Sequence, residues 1–421
     1  MFPGLDHARA FLSDAWNLNR ALVGPGIDDM LAVLARYLDV EVLSFPGGGE
    51  AFSWRIPPGW TLRHGEIRTP SGRLVASSEE HGLCVWTSSA PVRQRIDRET
   101  LFARHLSWRP DLPDAIPYRY AYYGNSWGFS VSQTMLERFQ DDAYDVLIDA
   151  ELSGDHPLRV GRYVLPGSSP KTIMIACHID HPFQLADGLS GAGGCLALIE
   201  ALRRRPRLYT YVFLFFPETI GSLAYFARHR HEWDTVGGLF LDMLCHDGPL
   251  VLQHSLLGDT VLDRAARAAA ADVAEPVEYT TFRHYPGNDE MVMNGPGVGI
   301  PSLLLMRWPF ARYHTSLDDF AHFDEAAFAR GLHFADRLLD RTEEMVAAIN
   351  RYEGLLSLSR HGLWEQFGGS SARRAFELVT AALEGRVAYT DIPAITGVPA
   401  AEVDAIVAAL TERELVARYP G

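Results

Sequence analysis

The sequence predicts an α/β chain in which a mixed, largely parallel sheet is sandwiched by helices, with a small inserted all-β module and a C-terminal winged-helix domain. Three observations predict it. From Tyr144 onward, apolar runs alternate with helical segments, the pattern of strands covered on both faces. Between about Val40 and Ile96, short alternating stretches such as AFSWRIPPGWTL are punctuated by Gly and Pro. After about Leu355 the order is helix, short helix, helix and a strand-like end. The expected division is residues 1–40 and 97–354 for the main domain, 41–96 for the β module and 355–421 for the tail.

Taken in order, PGIDDMLAVLARYL (Pro25 to Leu38) has helical periodicity and acidic residues in its first turn. RETLFARHL returns to helix after the β module, and AIPYRYAYYGNSWGFSVS is an aromatic-rich connector. YDVLIDAEL, LRVGRYVLP and KTIMIACHID then read as three successive strands. GAGGCLALIEALRRR is a helix too apolar to be exposed, LYTYVFLFFPE a buried strand and GSLAYFARHRHEW a helix. VGGLFLDML and PSLLLMRW add strands, and DEAAFARGLHFADRLLDRTEEMVAAIN is a long amphipathic closing helix. ARRAFELVTAALEG, AYTDIPAITGVP and AAEVDAIVAALTERELVARYP make up the tail.

With 421 residues the chain has room for one large domain and one or two small ones. A net charge of −15 argues against a nucleic-acid backbone as partner, since that affinity rests on Lys and Arg. The third tail helix agrees: it carries Glu402, Asp404 and Glu412 with no basic residue before Arg413, so it suits protein contact or packing rather than DNA reading. No apolar run approaches the roughly 20 residues that span a bilayer, so no membrane partner is expected. The opening MFPGLDHARAFLSDAW lacks a basic stretch followed by an apolar one, and the expected location is the cytoplasm. Cys84, Cys177, Cys195 and Cys245 are scattered, which indicates neither a disulfide framework nor a thiolate zinc site. Association into a homo-oligomer is left open.

The stretch ACHIDHPFQLADGLSGAGGCLALIEAL (Ala176 to Leu202) crowds His178, Asp180, His181 and Asp187 between a buried strand and a buried helix. Dehydrating these groups without partners would cost several kcal/mol each. Functional groups of open α/β sheets gather at the carboxyl ends of strands. Glu218 follows YVFLFFP, Asp242 lies in GLFLDM, Asn288, Asp289 and Glu290 precede PSLLLM, and His314 follows it in YHTSLDD. A donor set of His, Asp and Glu without thiolate suits zinc in a water-bearing site, or another borderline divalent ion. Asp180, two residues after His178, is placed to accept the imidazole's other N–H and orient the ring. Arg307, Arg312 and Glu290 are candidate substrate contacts.

HID followed by DGLSG resembles the zinc exopeptidase signature, in which a His and a metal-bridging Asp bind paired zinc ions. FLDM resembles the strand that supplies a further Asp ligand in that clan, and YHTSLD the late motif whose His binds the second metal. FFPETIGS resembles the segment usually written with two adjacent glutamates, one a general base and one a ligand. More narrowly, PETIGS with CHIDHP, YHTSLDD, FSWRIPPGW and WGF resembles a subfamily of bacterial aminopeptidase-like proteins with an inserted β module and a winged-helix tail. That resemblance runs over nearly the whole chain.

The resemblance implies a zinc aminopeptidase of the co-catalytic type, binding one or two zinc ions and hydrolysing a peptide or an amide-containing small molecule. It assigns His178, Asp187, Asp242 and His314 as metal ligands, Glu218 as general base or ligand, and Asp180 as the residue that orients His178. The second glutamate of the pair is Thr219 here, and His181 is a candidate replacement, although HP also reads as a simple strand terminator. Two other readings remain: a deacylase or amidohydrolase acting on a non-peptide metabolite, and a non-catalytic scaffold that keeps the metal.

Overall fold

Eight strands form one sheet: β1 (Glu41–Phe45), β2 (Leu158–Leu165), β3 (Thr172–His178), β4 (Thr210–Phe216), β5 (Thr235–Leu241), β6 (Leu250–Gln253), β7 (Val277–Thr280) and β8 (Ser302–Arg307). The computed structural model describes residues 2–123 and 126–419. In space the strands run β1-β2-β4-β3-β5-β8-β6-β7. The central β4, β3, β5 and β8 are mutually parallel, with Ala176 opposite Leu214 on one side and Phe240 on the other. At one edge, β2 is antiparallel to both β4 and β1. At the other, β6 is antiparallel to β8 and parallel to β7. Every residue of β3 and β4 is buried, so both faces of the sheet are covered there and the strands are apolar without alternation.

The strand order positions the site. β3 lies between β4 and β5, so the connection leaving β3 runs to one side and the one leaving β4 crosses to the other. Such a reversal opens a crevice at the carboxyl ends of the strands. Helix α1 (Leu5–Ala15), α2 (Pro25–Leu34), α3 (Leu189–Leu202), α4 (Ile220–His229), α5 (Val261–Ala269) and α6 (Glu325–Val346) cover the sheet. α3 packs on β3 and β5 and against α1 and α6. Its approach requires Gly191, where a Cβ would lie 2.2 Å from the Leu241 carbonyl oxygen and 2.8 Å from the Cys177 Cβ. Among the described residues, no single helix is long and apolar enough to cross a membrane.

A second, antiparallel sheet has the order Leu74–Ser77, Gly59–Arg68, Ala143–Ser153, Val92–Asp97. It buries its own cluster around Trp60, Ile67, Val75, Phe129, Tyr144, Val146 and Ile148. Two strand assignments differ from the expected ones. Ala143–Ser153 joins this small sheet, not the large one, because Tyr144, Val146, Ile148 and Ala150 alternate with half-buried or exposed neighbours and so cover only one core. Glu41–Phe45, expected in the β module, pairs instead with β2 at the edge of the large sheet.

The tail folds around a third cluster, with helices Ser370–Ala382, Ile392–Thr396 and Ala400–Thr411 packed through Phe376, Val379, Val403, Ile406 and Leu410. Its last strand, Val416–Arg418, pairs antiparallel with Ala348–Asn350. Lys171 bridges Asp234 of the body and Glu384 of the tail, and Arg386 reaches Asp234 at 2.6 Å.

Candidate metal centre and active site

The crevice at the carboxyl ends of β3, β4, β5 and β8 holds the predicted constellation. His178 ends β3, and its Nε2 lies 3.3 Å from Asp187 Oδ1 and 3.3 Å from Asp242 Oδ2. Asp180 Oδ1 sits 3.2 Å from His178 Nδ1 and accepts the Glu218 amide at 2.8 Å, so one carboxylate orients the ring and fixes the neighbouring strand end. Asp187 occupies the turn into α3. The following Gly188 has φ +87°, and a Cβ there would lie 2.7 Å from His178 Cε1. No other residue type fits between the turn and the imidazole. On the far side of Asp187, His314 Nε2 is 3.0 Å from Oδ2, and His181 Nδ1 is 3.3 Å from Oδ1.

These side chains form two groups around a shared carboxylate, His178–Asp187–Asp242 and His181–Asp187–His314, with ligand atoms in each within 4.8 Å of one another. His178, Asp180 and His181 form a third such group, but His178 Nδ1 there already faces Asp180. The donor atoms His178 Nε2, His181 Nδ1, Asp187 Oδ2 and His314 Nε2 are buried without a hydrogen-bond partner. Buried polar atoms are ordinarily paired, and four orphans converging on one place fit a divalent cation with nitrogen and oxygen ligands. The electrostatics show the same crowding. Burial alone would lower the His178 imidazole, but Asp242, Asp180 and Asp187 carry it well above its ordinary range. Burial would raise Asp187, yet His181, His178 and His314 hold it well below the usual carboxylate range.

Glu218 lies just past β4, half-buried, with Oε2 3.5 Å from His181 Nε2. It belongs to neither group that shares Asp187. Burial pushes its carboxyl up against the opposing pull of His181 and His178. A role capping α4 is filled by another residue: Asp289 Oδ1 accepts the Thr219 amide at 2.8 Å and the Ser222 hydroxyl. Asn288 donates to Asp242 Oδ2 at 2.9 Å, so the NDE segment before β8 braces the site from behind. Glu290 is buried and accepts the Asn288 amide at 2.8 Å. Arg307 is not a substrate contact. It is buried, paired with Glu275 at 2.6 Å, and donates to the carbonyls of Leu244, Gly248 and Ala327.

Four supporting residues escape the sequence reading. Asp318, within the quoted YHTSLDD, accepts the amides of Ala186 at 2.7 Å and Asp187 at 3.0 Å and so sets the turn that aims Asp187. Arg20 is fully buried and donates to the carbonyls of Ile179, His181 and Gln184 at 3.0, 2.7 and 2.7 Å, as well as to Ala15 and Trp16. A lone arginine in NLNRAL carries no sequence signal for that role. Tyr118, from the aromatic connector, sets its ring edge-on to His181 and His314 at 5.0 and 5.1 Å, and Tyr313 stacks on His314 at 3.8 Å.

This architecture recurs in known proteins. A Clostridium acetobutylicum protein named "Putative polysaccharide biosynthesis protein with aminopeptidase-like domain" is 28% identical over 322 residues, 76% of this chain and 73% of its own. The crystal structure of a "putative peptidase" from the same species superposes with a TM-score of 0.77 at 24% identity, covering 98% of this chain and 96% of that one. The Bacillus subtilis zinc aminopeptidase BSAP superposes with a TM-score of 0.54 at 16% identity, covering 79% of this chain and 94% of that one. The likeness to these structures is one of fold: a mixed α/β architecture with a large, mostly parallel sheet. Residues 9–345 match the family described as a domain of unknown function (DUF4910), and the chain belongs to that family.

Proposed function

We propose that the protein is a metal-dependent hydrolase of amide bonds, acting as a zinc aminopeptidase. The observation that carries this reading is the convergence of unpartnered, buried His and Asp atoms beside a half-buried glutamate at the sheet's carboxyl edge. The name of the C. acetobutylicum relative and the fold shared with BSAP support it. His178, Asp187 and Asp242 would hold one zinc ion, and Asp187 with His314 would contribute to a second. Such an ion lowers the pKa of bound water toward about 7 and polarises a carbonyl. Asp180 keeps His178 in the tautomer that turns Nε2 toward Asp187 and Asp242. Glu218, free of any cap role, takes the proton of the attacking water and returns it to the leaving amine.

A second reading is a deacylase or amidohydrolase acting on a non-peptide metabolite, and the relative's name, which mentions polysaccharide biosynthesis, is compatible with it. A screen of aminoacyl-chromogenic and N-acyl substrates separates the two. The same protein, stripped by chelator, should lose activity and melt at lower temperature, since crowded carboxylates lose their counter-ion. Unchanged activity and melting after verified metal removal would refute the metal reading. The four cysteines are free and buried, which suits a reducing compartment, and we place the enzyme in the cytoplasm. We assign the tail as a winged-helix module for packing or protein contact.

A further inference from the structure

The group His181–Asp187–His314 shares only Asp187 with the group His178–Asp187–Asp242. His181 Nδ1, Asp187 Oδ2 and His314 Nε2 are all buried and lack hydrogen-bond partners, and they come from two separate segments, the loop between β3 and α3 and the stretch after β8. Orphaned buried donors and acceptors each cost several kcal/mol unless something occupies the space between them. The backbone holds His181 there at some expense. Its φ is +65°, and His314 across the site has φ +55°, both in the left-handed region that costs a non-glycine residue on the order of 1–3 kcal/mol. Arg20 imposes the loop by binding the carbonyls on both sides of His181 and that of His181 itself. The second glutamate of the pair in the clan resemblance is Thr219 here, whose amide is tied to Asp289.

We infer that His181 is a metal ligand: through Nδ1 it completes, with Asp187 and His314, a second cation site bridged to the first by Asp187. This rests on the metal-hydrolase reading and adds to it the identity of the missing ligand. Two imidazoles and one carboxylate select a borderline divalent ion such as zinc or cobalt over magnesium or calcium, which prefer all-oxygen sets. Metal at Nδ1 also obliges the ring proton to sit on Nε2, which faces Glu218 at 3.5 Å. His181 would thereby tie the second ion to the orientation of the base.

The test is a cobalt(II) titration of the metal-stripped full-length protein, counting ions per chain by elemental analysis after equilibrium dialysis and following the visible cobalt bands. Wild type should bind two ions. His181→Ala should keep one and weaken the second by at least about 100-fold. His181→Asp, whose oxygen falls near the position of Nδ1, should restore the second ion with a band altered by the loss of a nitrogen ligand. Two ions of unchanged affinity in His181→Ala would overturn the inference. So would a second-ion band in His181→Asp identical to wild type, a result available even if the alanine variant fails to fold. Wild type binding a single ion would overturn the second site while leaving the hydrolase reading intact, and wild type binding none would overturn both.

Discussion

Replacing Glu218 by Gln isolates the proposed proton-transfer group from everything around it. No hydrogen bond to the Glu218 side chain is present among the described residues, and its nearest charged neighbour is His181 at 3.5 Å. The backbone there is held by other means, through Asp180 on the Glu218 amide and Asp289 on the next one. The isosteric amide therefore breaks no hydrogen bond and loses only the 3.5 Å charge contact with His181, so stability should change by less than about 0.5 kcal/mol. Loss of a general base costs roughly two to four decades of rate, or about 2.7–5.4 kcal/mol of barrier. Protonation of the Glu218 carboxyl should contribute to the acid limb of the wild-type kcat/KM profile, and that contribution should be absent in Glu218→Gln. The assay is a pH–rate profile on any substrate turned over, with metal content and melting temperature measured on the same samples. Unchanged turnover would refute the assignment, and lost metal with lost turnover would make Glu218 a ligand instead.

Three further outcomes are expected. Asp318→Asn puts an NH2 group against one of the two amides that shape the Asp187 turn, and should cost about 2 kcal/mol of stability. Metal affinity should also fall 10–100-fold; unchanged affinity in a chelator competition would count against a positioning role. Glu343 is pushed up to about 7 by burial, despite accepting the Leu208 amide at 2.7 Å and the Tyr211 hydroxyl at 2.9 Å. The folded state then keeps a proton that the unfolded chain releases near 4.5, so the group's contribution to stability declines as pH rises from about 4.5 to 7 and is flat above. Urea unfolding of wild type against Glu343→Gln should show a gap that shifts by up to about 3 kcal/mol across that window; a gap constant with pH would contradict the raised value. The full chain should not bind duplex DNA at physiological salt, given Glu402 and Asp404 on the third tail helix and Glu412 at its end. Micromolar binding by fluorescence anisotropy would overturn that.

What the sequence makes legible follows how local each signal is. β3 and β4 are unbroken apolar runs, because strands buried on both faces have no solvent side to record. The residues at their ends stand out for the same reason, as polar groups placed abruptly after such runs. Ala143–Ser153 also carries its evidence, in the alternation of Tyr144, Val146 and Ile148 with Asp145, Leu147 and Asp149. Adjacency to β2 in the chain misleads there, since pairing partners are set by tertiary packing. Arg20 lies beyond local reading altogether, because its loop partners are about 160 residues away. Asp318 is visible as a residue but not as a brace, since the amides it accepts lie across the crevice.

The five hydrogen bonds of Arg20 bear on how the protein opens. The guanidinium joins Ala15 and Trp16 at the end of α1 to the loop between Ile179 and Gln184, and the Phe183 amide returns a bond to the Leu18 carbonyl. Neither segment can loosen without leaving buried carbonyls and a buried charge unpaired, so the two should fluctuate as one cooperative unit. In hydrogen–deuterium exchange, amides of residues 15–20 and 179–184 should acquire deuterium with one common rate. Lysine at position 20 offers a single ammonium where a planar fork spans both segments, and that exchange should then split in two. The N-terminal arm is in this sense part of the scaffold beneath the crevice, and wear on it would be felt first at the loop that carries His181.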